Sequence, residues 1–310
     1  MSAQTLVLPE VARRRARERK AIARRAESRR STSLLLGTST SGRVLSLAAL
    51  ILMTVIWLLP FAWAVITSFK SEVDAADPGQ IVPEGGWTLG AYIGVITRGA
   101  LPLWMFNSLL VAVLVTAITL IISAMAAYAF SQLRFRGRGW MFAVTIASIM
   151  VPAQILIVPL FQQMLFFRMV DTFAGIILPQ VVAPIMVFIL KKFFDGIPRE
   201  LIDAARVDGA GAWRTFWTVV LPLSRAILGA VAIFVFISAW NNFLWPFIVT
   251  TDSALMTIPV GLATVTETYG LQYARTMAAA LLAALPLLVV FMLFQRQIVR
   301  GVATTGMGGQ

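Results

Sequence analysis

The stretch Asp195–Pro222, DGIPRELIDAARVDGAGAWRTFWTVVLP, decides how the rest of the chain is read. It is polar and charged, yet it lies between two long apolar runs. Pro198 can open a helix, because its missing N–H is not needed in a first turn. Glu200 and Asp203 follow early in that helix, where negative charge suits the helix dipole. Asp208-Gly209 is a turn dipeptide, since glycine tolerates positive φ. Trp213, Phe216, Trp217 and Val220 then recur at i, i+3, i+4 and i+7, which predicts an apolar stripe on a second helix. Leu221-Pro222 ends the unit. The pattern is two short helices over about 198–217, bent at Gly209. Each is too short to be stable alone in water, so both need a surface to lie against. Two readings stand: an amphipathic connector lying in a membrane interface, or a lever gripped by a partner outside the membrane.

Working outward, the chain is 59% hydrophobic and 13% charged. Lys, Arg, Asp and Glu leave six segments of 19 residues or longer free of charge: 44–69, 99–133, 139–167, 172–190, 226–251 and 276–295. About 20 apolar residues cross a ~30 Å hydrocarbon core as a helix, and a span must satisfy its own backbone groups. The expectation is an all-α polytopic membrane protein with six transmembrane helices, at about 44–66, 103–130, 140–161, 173–193, 224–249 and 276–296, and a cytoplasmic two-helix insert. The organisation is a basic tail over 1–43, a transmembrane domain over 44–300 and a C-terminal tail over 301–310.

Charge orients the spans. With both termini in the cytoplasm, 22 Lys and Arg fall inside and 4 outside, namely Lys70, Arg98, Arg168 and Arg275. That asymmetry is the positive-inside pattern. The tail carries Arg13, Arg14, Arg15, Arg17, Arg19, Lys20, Arg24, Arg25, Arg29 and Arg30. It reads as an anchor against anionic lipid; no aromatic interleaving or folded module accompanies it, so a nucleic-acid role is set aside. The first apolar run is a full span, so no cleavage is expected. Cysteine and histidine are both absent, which removes disulfides, the usual metal ligands and a histidine base. No metal site and no catalytic residue is expected, and no phosphate-binding G-x-x-x-x-G-K-[ST] loop occurs.

Proline punctuates the interior spans at Pro152, Pro159, Pro179, Pro184 and Pro286. These kinks serve either packing or a broken wall beside a cavity. Trp240 falls ~21 Å up the fifth span at ~1.5 Å per residue, and Trp245 at the far interface reads as aromatic belt. Asn241 and Asn242 are costly to bury unsatisfied. They serve either as glue between helices or as amides facing a substrate, with Trp240 or Phe243 as a stacking face. The connection Thr250–Arg275 carries Glu267, Tyr269, Gly270 and Tyr273 in a polar, flexible setting.

The insert resembles the "EAA" signature of ATP-binding-cassette importer permeases: an acid, two alanines, a later glycine, then Leu-Pro. Here these are Asp203, Ala204, Ala205, Gly209, Leu221 and Pro222, with Asp203 where the family carries Glu. Asp208-Gly209-Ala210 and Phe216 resemble the sugar-importer branch. Asn107-Ser108-Leu109, Ala126-Ala127-Tyr128-Ala129, Val151-Pro152 with Gln154, and Ala239-Trp240-Asn241 with Phe243-Leu244 resemble maltose-type inner-membrane permeases. The resemblance covers about residues 45–300. It implies that the insert docks on a cytoplasmic ATPase dimer, which holds the ATP and Mg, while this chain holds no cofactor. It further implies a second permease subunit, an extracytoplasmic binding lipoprotein meeting the 250–275 connection, and a bacterial plasma membrane location. Gln154 joins Trp240, Asn241, Asn242 and Phe243 as pathway candidates.

The uncharged segments narrow the cargo. Proton-coupled carriers use intramembrane ionisable groups, and none falls in these segments. A neutral polyhydroxylated solute fits best, and an anionic one such as glycerol phosphate could use helix N-termini. An ion-coupled carrier would leave the insert without a purpose, and an enzyme would lack acids, His and Cys at membrane depth.

Overall fold

The computed structural model describes residues 40–77, 79–97, 99–268 and 272–306, with backbone alone at 40–41, 265–268 and 296–306. Every regular element among them is helical. Most of the basic tail thus lies outside the described residues, as do Tyr269 and Gly270. The chain divides into two compact units, Met1–Ala64 and Val65–Gln310. The first contains most of α1 (Thr40–Ser68), an apolar helix with Pro60 inside it.

In the second unit, α2 (Glu72–Ala75) and α3 (Gly90–Thr97) precede the long helix α4 (Leu101–Gln132). On α4 the buried positions Trp104, Ser108, Val111, Val115, Thr119, Ser123 and Ala127 run down one face at three- and four-residue steps. Several are small, which lets neighbouring backbones come close. Against α4 pack α8 (Pro184–Asp195) and α11 (Arg225–Trp240), while α14 (Tyr273–Gly306) packs on α11 and α3.

Among the described residues, three helices are long and apolar enough to cross a membrane: Gly42–Ser68, Leu101–Gln132 and Tyr273–Gln295. Three further candidates are bent pairs, so the count reaches six when each pair is one crossing. The pair α5 (Arg138–Ile149) and Ala153–Phe166, whose last turns are α6 (Ile157–Phe166), meets at 94°. The pair α7 (Phe173–Gln180) and α8 meets at 47°. In both, the break falls at a proline, Pro152 or Pro184. A residue before proline is pushed out of the helical region, and Ala183 duly takes φ −127° and ψ 82°. The third pair, α10 (Ala212–Leu223) and α11, meets at 82° beside the buried Ser224.

Three expectations are corrected. The helix expected through 249 stops at Trp240, where the Asn241 amide donates to Ile237 O at 2.9 Å and caps its own helix end. A separate turn, α12 (Leu244–Val249), follows. Trp245, read as aromatic belt, is not lipid-facing but packed inside the protein, with its indole N–H on Gly175 O at 3.0 Å. The connection 250–275, read as flexible, contains α13 (Ile258–Thr268), because Ile258 and Val260 are buried and anchor it.

Candidate functional site

The insert is built on the last turns of α4. α9 (Arg199–Val207) starts one residue after Pro198 and buries Ile202, alongside Ile197 just before it. It ends in a tight closure: Ala210 N–H donates to Ala205 O at 2.9 Å across Gly209 at φ 76°. This is the left-handed helix stop that glycine accepts without strain. The chain then turns into α10, whose Ala212 carbonyl accepts from the Tyr128 hydroxyl at 2.9 Å. The Tyr128 and Phe216 rings lie 5.2 Å apart. Gln132 donates to Phe194 O at 2.6 Å, fixing the entry to the insert.

The predicted apolar stripe splits in two. Phe216 and Val220 are buried at 2% and 0% exposure, whereas Trp213 and Trp217 are 60% and 47% exposed. A π-turn runs over Phe216–Val220, and Phe216 and Val220, four residues apart, stay together on its inner side. Trp213, Phe216 and Trp217 still pack edge to face or tilted within 6 Å of one another. Trp213 and Trp217, with Leu201 and Val207, leave apolar surface facing out from the insert.

Around that surface stand polar groups. Asp203 pairs with Arg206 at 3.1 Å, both exposed, a contact of small energetic weight in water. Ala204 and Asp208 are exposed, Ala205, Ala210 and Leu221 half-buried, and Pro222 exposed. The predicted insert residues therefore form one contiguous element, with Phe216 turned inward as its root.

The pathway candidates are only partly brought together. Trp240 is buried and stacked on Phe236 at 5.9 Å. The Asn242 amide donates to Gln180 Oε1 at 2.7 Å, and Gln180 donates to Ile176 O at 2.7 Å. Thr119 donates to Val181 O at 3.2 Å in the same break between α7 and α8. Phe243 is exposed and stacked on Phe247 at 5.0 Å. Gln154 is exposed on the turn before α6. Gln180 and Thr119 escaped the sequence reading; the prolines bracketing Gln180, at 179 and 184, were the available signal.

The opposite end of α4 holds the 250–275 connection. Trp104 Nε1 donates to Ser253 O at 2.9 Å, and the Asn107 amide to Ala254 O and Met256 O at 2.8 and 3.0 Å. Ser108 Oγ accepts from Ile258 N at 2.7 Å. Gly261 rests so closely on the Trp104 ring that a Cβ there would overlap it. Asp171, at φ 54°, accepts from the Thr251 hydroxyl at 2.6 Å and from the N–H groups of Thr251 and Asp252. The Thr251 hydroxyl first, then those two N–H groups, hold the Asp171 carboxyl below the usual aspartate range. Glu72 caps α14 by accepting from Ala274 N and Arg275 N at 3.1 and 2.9 Å. Tyr273, at the start of α14, is 38% exposed. Glu267 has its backbone in α13, and its side chain lies outside the described set. The side-chain signals for Trp104, Asp171 and Glu72 are absent from any short motif, because their partners lie far along the chain and most are backbone groups.

Residues 119–304 match the family model of the binding-protein-dependent transport system inner membrane component. The chain is 34% identical over 253 residues to the arabinooligosaccharide transport system permease protein AraQ of Halalkalibacterium halodurans, covering 81% of this chain and 91% of that one. It is 36% identical over 201 residues to the sn-glycerol-3-phosphate transport system permease protein UgpE of Yersinia enterocolitica, covering 64% and 72%. In fold it resembles a chain in the crystal structure of a bacterial ABC transporter involved in importing the acidic polysaccharide alginate, with TM-score 0.75, 20% identity and coverage of 83% and 98%.

Proposed function

The chain belongs to the binding-protein-dependent transport system inner membrane component family, and from that premise we propose that it forms half of the translocation pathway of an ATP-driven carbohydrate importer. It is a multi-pass transport subunit rather than an enzyme. Solute arrives on an extracytoplasmic binding protein, a second permease subunit completes the pathway, and a cytoplasmic ATPase dimer binds and hydrolyses Mg-ATP. Both termini and the insert face the cytoplasm, in accord with the 22-to-4 distribution of basic residues.

The insert carries this reading. It is rooted in the membrane domain through Phe216, Val220 and the Tyr128–Ala212 bond, yet it leaves Trp213, Trp217, Val207 and Leu201 uncovered. Apolar side chains rimmed by charge mark a surface meant for a partner. Asp203, Ala204, Ala205, Asp208, Gly209 and Ala210 form the part gripped by the ATPase, and Leu221-Pro222 hands its movement to α11 across the 82° bend. Because the insert is bonded to α4, a push on it is felt by the α4–α8–α11 core.

Carbohydrate is favoured by the arabinooligosaccharide relative and by spans without ionisable groups, since hydroxyls need only amides, backbone groups and aromatic faces. Trp240, Asn242 and Gln180 would be met by solute where α7 and α11 are interrupted; Asn241, Phe243 and Gln154 complete the candidate set. A glycerol phosphate is the second reading, favoured by the 36% identity to a glycerol-3-phosphate permease.

The test is reconstitution with the partner subunits. Gly209→Pro forbids the 76° φ and is expected to abolish transport and binding-protein-stimulated ATP hydrolysis while the chain still inserts. Normal transport with Gly209→Pro and with Asp203→Lys would reject the coupling role. Uptake across sugars, sugar phosphates, amino acids and polyamines decides the cargo, and uptake of amino acids alone removes the carbohydrate assignment.

A further inference from the structure

At the insert end of the bundle, basic side chains stand on three neighbouring segments. Arg134 and Arg136 stand on the turn between α4 and α5, Arg138 opens α5, and Lys191 and Lys192 stand in the last turns of α8. α5 and α8 meet there through Phe142 and Phe188, stacked at 6.5 Å and 15°. Lys191 Nζ lies 4.8 Å from the Phe142 ring centroid, and Lys192 Nζ lies 5.9 Å from that of Phe188. Arg138 folds back to donate to Leu133 O at 2.9 Å, closing the turn.

The acids do not balance this charge. Asp195 pairs with Lys191 at 2.8 Å. Arg134, Arg136 and Lys192 are exposed and make no ion pair among the described residues. Beside these charges, α5 buries none of its side chains, and Trp140, Met141 and Val144 stand exposed along it, with Phe135 exposed on the turn. Trp140 is 74% exposed. Unpaired positive charge set at the head of a bare apolar wall is the complement of an anionic amphiphile.

We infer that this end of α4, α5 and α8 binds an anionic phospholipid, with its phosphodiester on Arg134, Arg136 and Lys192 and its acyl chains along Trp140, Met141 and Val144. Guanidinium forks match phosphate oxygens. A lysine stem laid over an aromatic ring keeps its ammonium at headgroup height. A soluble anion would satisfy the charges and leave the wall bare, so the wall selects lipid. The inference rests on the cytoplasmic placement of this turn, where anionic headgroups attract basic residues. It does not need the carbohydrate assignment.

The experiment uses the purified full chain with its partner subunits in nanodiscs of phosphatidylcholine doped with phosphatidylglycerol. Retained phosphatidylglycerol is counted by native mass spectrometry, and a spin-labelled phosphatidylglycerol reports contact with Trp140. Each of Arg134→Gln, Arg136→Gln and Lys192→Gln is expected to weaken retention roughly fivefold, and the triple variant roughly 100-fold. The singles lie on exposed positions and serve if the triple variant fails to accumulate. Inorganic phosphate at millimolar concentration is expected not to displace the lipid. Equal retention by wild type and the single variants overturns the site, and displacement by phosphate reassigns it to a free anion. Cysteine labelling at position 136 from each side checks the placement separately, and transport need not be measured at all.

Discussion

The two connections at opposite ends of α4 are held in opposite ways. The 250–275 connection is sewn to the helix through its backbone by Trp104, Asn107 and Ser108, and is held again by Asp171 through the Thr251 hydroxyl and two backbone N–H groups. The insert at 195–223 is rooted by the buried side chains of Ile197, Ile202, Thr215, Phe216 and Val220 and by two hydrogen bonds, and much of its remaining apolar surface is uncovered. Asn107 and Tyr128 stand ~32 Å apart along the helix at ~1.5 Å per residue. One end satisfies its own polar groups; the other leaves apolar groups for something else to cover. A bonded backbone gives a fixed shape, whereas uncovered aromatics give a sticky one, so the insert is the end suited to gripping.

The sharpest way to break that contrast is at the root of the insert. Phe216→Ala removes a fully buried ring against Tyr128 and is expected to cost about 3 kcal/mol of stability, while Trp213→Ala, at an exposed position, is expected to stay within about 0.5 kcal/mol. Thermal unfolding of the detergent-solubilised chain reads both. Equal losses would mean that the insert has no inward and outward side.

At the other end, Gly261→Ala sets a methyl group into the Trp104 ring. Overpacking of this kind is expected to cost about 2 kcal/mol and to expose the 253–261 backbone to hydrogen exchange without changing exchange in the insert. Protection lost at both ends together would show that α4 does not separate them.

The smallest effect is that of pH on the Asp171 knot. Its carboxyl is held below the ordinary range, so the stabilisation is fully present at neutral pH, above the ordinary value of about 3.9. It is lost only as pH falls through the lowered value. Stability followed from pH 7 down to pH 3 is expected to fall by less in Asp171→Asn than in wild type. Parallel curves would remove Asp171 from the clamp.

The residues that could be read from the chain are those whose meaning is local. The long uncharged runs imposed α1, α4 and α14, because a lipid core leaves a backbone no alternative to helix. Gly209 announced its turn, since only glycine takes that φ freely. The insert's helix pair followed from Pro198, the Asp208-Gly209 step and the spacing of its aromatics. What escaped was whatever depended on a partner distant in sequence. Packing divided the stripe that their spacing placed on one face: Phe216 and Val220 went inward, while Trp213 and Trp217 stayed out. Asn241 became a helix cap and Asn242 a partner of Gln180, roles that only the breaks at Pro184 and Trp240 create. Trp245 went inside, where the Gly175 carbonyl, 70 residues away in sequence, accepts its N–H. The sequence by itself determined the class of protein, its apolar helices and the place of the insert, because hydropathy and glycine act over a few residues. The tertiary structure alone decided which polar groups meet across the bundle, because a hydrogen bond or a close contact between distant segments is set by packing and leaves no periodic mark in the chain.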